Sequence, residues 1–176
     1  NTLLIEKQVT RGINPVRYGV TPEFVFVFSK GRPRSINLIR DKPNKHAGKL
    51  LRYSTRDRAG VISTTKKVLT KPFGARPSIW RYTTGGRATA TDRYAFEHPA
   101  LMPEALARDL ILSWSHPLDV VLDPLAGAAT TCKAALLADR YYLGFEAHEP
   151  YHRLAERRLS DAHDAYRRRL LDESGS

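Results

Sequence analysis

Two acidic residues, each ending an apolar run, are the first places where this sequence could do chemistry. Asp123 closes Asp119-Val-Val-Leu-Asp123 and is followed by Pro124-Leu-Ala-Gly-Ala-Ala129, a turn of small side chains. A helix-forming stretch from Thr130 to Ala138 comes next. A second run, Tyr141-Tyr-Leu-Gly-Phe-Glu146, then ends in another acid 23 residues after the first. At such a turn a ligand can approach the backbone and meet the free amides of a helix start. A carboxylate at the end of the following strand can accept both hydroxyls of a ribose. Together these features point to an adenosine-containing cofactor; a generic unit whose strands simply end in polar residues satisfies the same pattern. No Gly-x-Gly-x-x-Gly stands near the turn and no Walker A loop is present, so the dinucleotide and P-loop signatures are both missing.

These groups need a strand, a tight turn, a helix and a second strand to hold them. That order reads as a βαβ unit whose crossover suits parallel strands. Ahead of it, Pro103 to Trp114 puts Leu106, Leu110, Ile111 and Trp114 on one helical face, with Pro103 in the first turn. Behind it, residues 149–172 predict a long helix with Leu154, Leu159 and Leu170 toward the core and Arg157, Arg158 and Arg167 to Arg169 mostly outside. Near the start, Glu23-Phe-Val-Phe-Val-Phe-Ser29 predicts a strand buried on both faces. The class expected is α/β, a doubly wound sheet that these elements fill only incompletely, carrying a basic, loop-rich insertion.

The 176 residues hold 29 Lys and Arg against 18 Asp and Glu, a net charge of +11, and polyanions are attracted to such a chain before any specific contact forms. The excess is local. Residues 30–93 carry 17 basic and 3 acidic side chains, whereas residues 101–176 carry 9 and 12. Breakers such as Lys30-Gly-Arg-Pro33, Lys42-Pro-Asn44, Lys71-Pro-Phe-Gly74 and Gly85-Gly86 punctuate the basic stretch. Tyr53, Phe73, Trp80, Tyr82 and Tyr94 are interleaved with the charges, a composition suited to phosphate contact and base stacking. The candidates for contact are Arg32, Arg34, Lys42, Lys45, Lys49 and Arg52, then Lys66, Lys67, Arg76, Trp80, Arg81 and Arg87. A solvated charged face is the plainer alternative, and Trp80 and Tyr82 could equally be packing residues.

The chain is thus divided into sheet strands in 1–29, a basic recognition region in 30–93 and a cofactor-binding α/β region in 94–176. Its single cysteine, Cys132, allows neither an internal disulfide nor a multi-cysteine zinc site, and it reads as a small buried apolar residue. No metal site is expected. No apolar run reaches the roughly 18 residues of a membrane span, and the first ten residues lack the order of a signal peptide.

Three segments carry a resemblance. Phe96-Glu-His-Pro-Ala-Leu-Met-Pro-Glu104 and the helix after it resemble the HPA-x-FP-E helix of amino-methylating DNA methyltransferases. Asp123-Pro-Leu-Ala-Gly-Ala-Ala-Thr-Thr131 is similar to their DPFxGSGTT motif, and Gly144-Phe-Glu-Ala-His-Glu-Pro-Tyr151 to their GxExxxxY motif. Phe24 to Lys30 and Ser78 to Tyr82 also resemble segments of these enzymes, and the order matches the β class. The resemblance implies a Rossmann-like methyltransferase sheet, S-adenosylmethionine as cofactor, double-stranded DNA as partner, and methyl transfer to adenine N6 or cytosine N4. It also implies the cytoplasm of a bacterial or phage-infected cell, and a class in which homodimers are common. Carried over by position, His98, Pro103, Asp123, Leu125, Gly127, Thr130 and Thr131 would wall the cofactor, and Glu146 would hold its ribose. His98 precedes the wall helix and is read as a lining residue rather than a base; Asp123 either caps the turn or contacts the cofactor.

The departures are specific. Leu125 stands where the family has Phe, and Ala128-Ala129 where it has Ser-Gly. An alanine forced to positive φ costs about 1 kcal/mol or more, and its methyl is expected to crowd the cofactor. The family's Pro-Pro-aromatic catalytic motif, which holds the flipped base, has no counterpart, because no Pro-Pro occurs in the 176 residues. No catalytic residue is therefore assigned. In the β class that motif precedes the segments seen here, so the chain is expected to be the larger C-terminal part of an enzyme. The alternative is a degenerate, non-catalytic DNA-binding relative.

Overall fold

The computed structural model describes residues 1–8, 22–63 and 66–174. In chain order the strands are β1 (Thr2–Gln8), β2 (Pro22–Phe26), β3 (Lys42–Pro43), β4 (Leu50–Tyr53), β5 (Lys66–Leu69), β6 (Phe73–Gly74) and β7 (Ile79–Thr83). They are followed by α1 (Glu104–Trp114), β8 (Val120–Asp123), α2 (Thr130–Leu137), β9 (Tyr141–Gly144) and α3 (Glu149–Ser174). Asn1–Asn37 and Ile79–Ser176 form one unit and Leu38–Ser78 another.

In the larger unit, β1 lies between β2, its antiparallel neighbour, and β7, its parallel one. Leu3 and Ile5 of β1 are buried. Side chains alternate across β7, so Trp80 and Tyr82 point the same way. Trp80 is 5% exposed and stacks on Trp114 of α1 with ring centroids 6.1 Å apart, while the Tyr82 hydroxyl donates to buried Asp109 at 2.8 Å. Both aromatics are therefore packing residues joining β7 to α1. β2 corrects a sequence expectation. It forms where the β-forming run predicts it, but it is an edge strand, and Phe24, Phe26 and Phe28 are exposed, their rings stacked in sequence at 6.1 and 6.3 Å. A continuous apolar run gives strand propensity; burial depends on neighbours, and among the described residues β2 has β1 alone.

The βαβ unit is present as read, with β8 and β9 parallel from Val120↔Tyr141 to Asp123↔Gly144. Val121 and Tyr142 pack against Ala107 and Ile111 of α1 and Ala134 and Ala135 of α2. Val120, Leu122, Tyr141 and Leu143, on the other face, are exposed. β8 is covered on one face among the described residues, because α1 and α2 lie on the same side. Gly144 ends β9 against α2, where an added Cβ would stand 2.7 Å from Cys132 Sγ and 3.2 Å from Ala126 Cβ. Cys132 is buried as expected, and burial pushes its thiol up to about 11. Gly144→Ala is expected to lower the unfolding free energy by about 1–3 kcal/mol through overpacking, with Cys132→Ala restoring most of it in the double variant. Urea unfolding of the set measures this; a double variant no more stable than the single one would place the clash elsewhere.

α3 buries Leu154, Ala155, Arg158 and Ala162 along one stripe. Arg158, expected outside, is fully buried, and Leu170, expected inside, is 44% exposed. The stripe includes Arg158 because carboxylates from two distant segments meet it there.

The smaller unit has little regular structure. β4 pairs with β5 and β3 with β6, both antiparallel. Side chains take over some of the backbone's hydrogen bonding: Asn44 donates to the Lys71 carbonyl at 2.9 Å, and Asp57 accepts the Ala59 and Val61 amides at 2.9 Å. The unit is narrower than the 30–93 stretch marked by charge.

Candidate functional site

A cleft of about 600 Å³ opens at the carboxyl ends of β8 and β9, within the range of small-molecule sites. The turn after β8 contributes Asp123, Leu125, Ala126, Gly127 and Ala128, the start of α2 contributes Thr130 and Thr131, and Glu146 follows β9. The segment before α1 closes it with His98, Ala100, Leu101 and Met102, and the start of α3 with Tyr151 beside His148.

The carboxylates shape the turn. Asp123 Oδ1 accepts the Leu125 amide at 3.1 Å, so Asp123 caps the turn while it also lines the cleft. Glu146 accepts the Gly127 amide on Oε2 and the His148 amide on Oε1, both at 2.8 Å. These two bonds, His148 first and Gly127 second, hold its carboxyl below the usual carboxylate range. An ionised carboxylate has about four acceptor directions, so each oxygen keeps capacity for a further donor.

Gly127 has φ 52°, and a Cβ there would stand 2.9 Å from His98 Nε2. Only glycine lets the His98 wall close on the turn. His98 Nδ1 accepts the Ala100 amide at 3.2 Å, which assigns the proton of the neutral ring to Nε2, and both His98 and His148 pack on Tyr151 with centroids 4.4 Å away. Ala129 sits at φ 56°, the left-handed position its family counterpart fills with glycine. Its methyl does not reach the cleft: Ala129 is buried with Cys132 and Ala155, and it is Ala128 that joins the lining. Pro103 corrects another expectation, since it caps α1 and is fully buried behind the cleft rather than in its wall.

Behind the turn lies a charge network that the sequence reading missed. Arg158 donates through Nε to Asp92 at 2.9 Å, through Nη2 to Glu104 at 2.7 Å, and through Nη1 to the Ala128 carbonyl at 2.5 Å and Thr130 Oγ1 at 3.1 Å. Lys133 reaches the same two carboxylates, at 2.6 and 2.7 Å, and Thr91 Oγ1 at 2.9 Å. Two cations face two anions, the balance a buried charge cluster requires.

A DNA methylase family model matches residues 2–157. The chain belongs to the N6/N4 DNA methylase family. The methyl donor of this family is S-adenosylmethionine. The chain is 40% identical over 164 residues to the orphan methyltransferase M.BamHII of Bacillus amyloliquefaciens, covering 92% of this chain and 62% of that relative. It is 43% identical over 65 residues to the DNA adenine methyltransferase YhdJ of Escherichia coli K12, covering 37% of this chain and 22% of that relative. It therefore spans less than two thirds of either. The crystal structure of the M1.HpyAVI–SAM complex shares the fold, with a TM-score of 0.52 at 21% identity over 90% of this chain and 60% of that one. The α/β methyltransferase fold expected from the sequence is the fold of this chain, incomplete in its sheet.

The basic residues of the chain sort into two groups. Lys42, Lys45, Lys49, Arg52 and Lys67 are exposed in the smaller unit, and Arg52 and Lys67 stand directly opposite each other across β4 and β5. Like charges so paired repel, which an approaching polyanion relieves. The Lys66 side chain lies outside the described residues. Arg32, Arg34 and Arg87 are exposed in the larger unit, the first two lining a separate cleft of about 720 Å³ at the amino end of β8. Other candidates are committed to the fold. Arg76 donates to Asp41 at 2.9 and 2.5 Å, Arg81 pairs with Glu6 at 2.7 Å across β1 and β7, and Trp80 is buried. Tyr94, counted among the stacking aromatics, is bound to Asp161 with Arg157 over its ring, whereas Tyr53 and Phe73 remain exposed. No helix among the described residues is long and apolar enough to cross a membrane, and no cluster of three metal-ligating side chains occurs among them.

Proposed function

We propose that this chain forms the cofactor-binding and DNA-recognition portion of a DNA methyltransferase acting on adenine N6 or cytosine N4. The observation that carries the reading is Glu146, placed after β9 at the mouth of the 600 Å³ cleft with acceptor capacity left on both oxygens. That capacity fits the two hydroxyls of a ribose. The first amides of α2 have no intrahelical acceptors and suit a polar group above the turn. Leu101, Met102 and Tyr151 supply the apolar surface an adenine needs. When bound, S-adenosylmethionine supplies a methyl group activated by its sulfonium. The chain's own residues orient that donor and exclude water from it, while the exposed cations of the smaller unit hold DNA phosphates.

The test is binding of both ligands. Calorimetric titration of the chain with S-adenosylmethionine is expected to show one site, and duplex DNA is expected to bind with a log–log salt slope of about −4 to −5, from roughly 0.9 per phosphate over the exposed candidates Lys42, Lys45, Lys49, Arg52 and Lys67. A flat salt response would remove the DNA assignment; no heat of cofactor binding would remove the cleft assignment. A second reading, a relative that binds DNA without catalysis, is favoured by the missing Pro-Pro motif. Transfer of labelled methyl to DNA by the chain would remove that second reading.

A further inference from the structure

We propose that Arg158 is a positioning residue for the cofactor, acting as the lock that holds the turn above α2 in its binding conformation. The inference rests on the cleft's reading as a cofactor site. Ala128 sits between two left-handed residues, Gly127 at φ 52° and Ala129 at φ 56°. A glycine adopts that conformation freely, but an alanine does not. Rotating the peptide between Ala128 and Ala129 by half a turn would return Ala129 to negative φ, so the backbone strain favours the flipped peptide. The same rotation would withdraw the Ala128 carbonyl from Arg158 Nη1, to which it is bound at 2.5 Å, and would alter the amides at the start of α2. Arg158 opposes the flip from a site with no exposure to solvent. It also bonds Thr130, the first residue of α2, and both carboxylates of the opposite wall: Asp92, which precedes His98, and Glu104, which follows Met102. One planar fork therefore sets the turn, the helix start and the facing wall. Lysine has no such fork.

Lys133 is the internal control. It shares Asp92 and Glu104 with Arg158 but bonds Thr91 where Arg158 bonds the turn. In the chain as it stands, Arg158→Lys is expected to raise the S-adenosylmethionine Kd about tenfold, the scale of one charge-assisted hydrogen bond, while Lys133→Met leaves it within about twofold. Ala129→Gly added to Arg158→Lys is expected to recover most of the lost affinity, because glycine removes the strain that drives the flip. A purely structural arginine predicts equal losses in the Arg158 and Lys133 variants, or no recovery with Ala129→Gly, and either result overturns the proposal. If the unaltered chain binds no S-adenosylmethionine, the reading of the cleft fails, and amide hydrogen exchange then decides this inference separately. Arg158→Lys should speed exchange at Gly127 to Thr130 with the middle of α2 unchanged, and retained protection at the turn overturns it.

Discussion

Arg158→Met is expected to destabilise the chain by about 3 kcal/mol, because removing one partner of a buried charge cluster leaves the others uncompensated. Asp92 and Glu104 would each lose a guanidinium bond, the Ala128 carbonyl would lose its donor, and Lys133 alone would face two carboxylates. The neighbouring Arg157→Met gives the contrast: that guanidinium lies over the Tyr94 ring at 3.9 Å on the exposed side of α3, and its loss should cost under about 1 kcal/mol. Acid should narrow the difference at position 158. Burial opposes ionisation of Asp92, but hydrogen bonds from Lys133 and Arg158 outweigh it and hold the carboxyl below its usual value. A group with a lowered folded pKa contributes stability above its unfolded pKa and loses it as pH falls through the folded one. The unaltered chain therefore loses this contribution below about pH 4, whereas Arg158→Met has less of it to lose. Denaturant unfolding at neutral pH and at pH 3 measures both. A gap that does not narrow in acid would assign the effect to packing of the side chain and not to its charge.

That network marks where sequence reasoning stops. The βαβ unit was legible because its signals are local: apolar runs, a small-residue turn, a helix former and an acid at each strand end. The placement of Asp123, Gly127, Thr131 and Glu146 around one cleft follows from that short-range order. Arg158 was misplaced because its partners are 66 and 54 residues away, and nothing near it in the chain says that an arginine on the inward stripe will be neutralised. The clue available was the stripe itself, Leu154, Ala155 and Ala162, into which Arg158 falls at helical spacing. Composition marks Trp80 and Arg76 for contact with a polyanion, but Trp80 is buried on Trp114 and half-buried Arg76 is paired with Asp41, partners their neighbours in sequence do not reveal. Tyr151 and His148 were within a recognised motif but had no role until the structure set their rings together. The exposed Phe24, Phe26 and Phe28 make the same point in reverse, since apolarity alone does not bury a strand that has one neighbour among the described residues.

Glu146→Ala is expected to weaken S-adenosylmethionine binding about a hundredfold, the loss of two charge-assisted hydrogen bonds to the ribose hydroxyls. Glu146→Gln should come close to the same loss. Each oxygen of Glu146 already accepts a backbone amide, Gly127 on one side and His148 on the other, so a glutamine must turn its NH₂ toward one of these donors. Isosteric replacement therefore opposes N–H to N–H and releases one end of the turn. The side chain is near the surface, so the unfolding midpoint should move little in either variant, which separates lost binding from lost folding. Affinity should also be flat from pH 7 to pH 5. The amides of His148 and Gly127 keep the Glu146 carboxyl ionised below the 4.5 of an ordinary glutamate, and binding that depends on the ionised form falls only as pH passes through that lowered value. Calorimetric titration across this range is the measurement. A Kd that already rises between pH 7 and pH 5 would remove the dependence from the Glu146 carboxylate, and a Glu146→Gln variant that binds normally would end the ribose assignment.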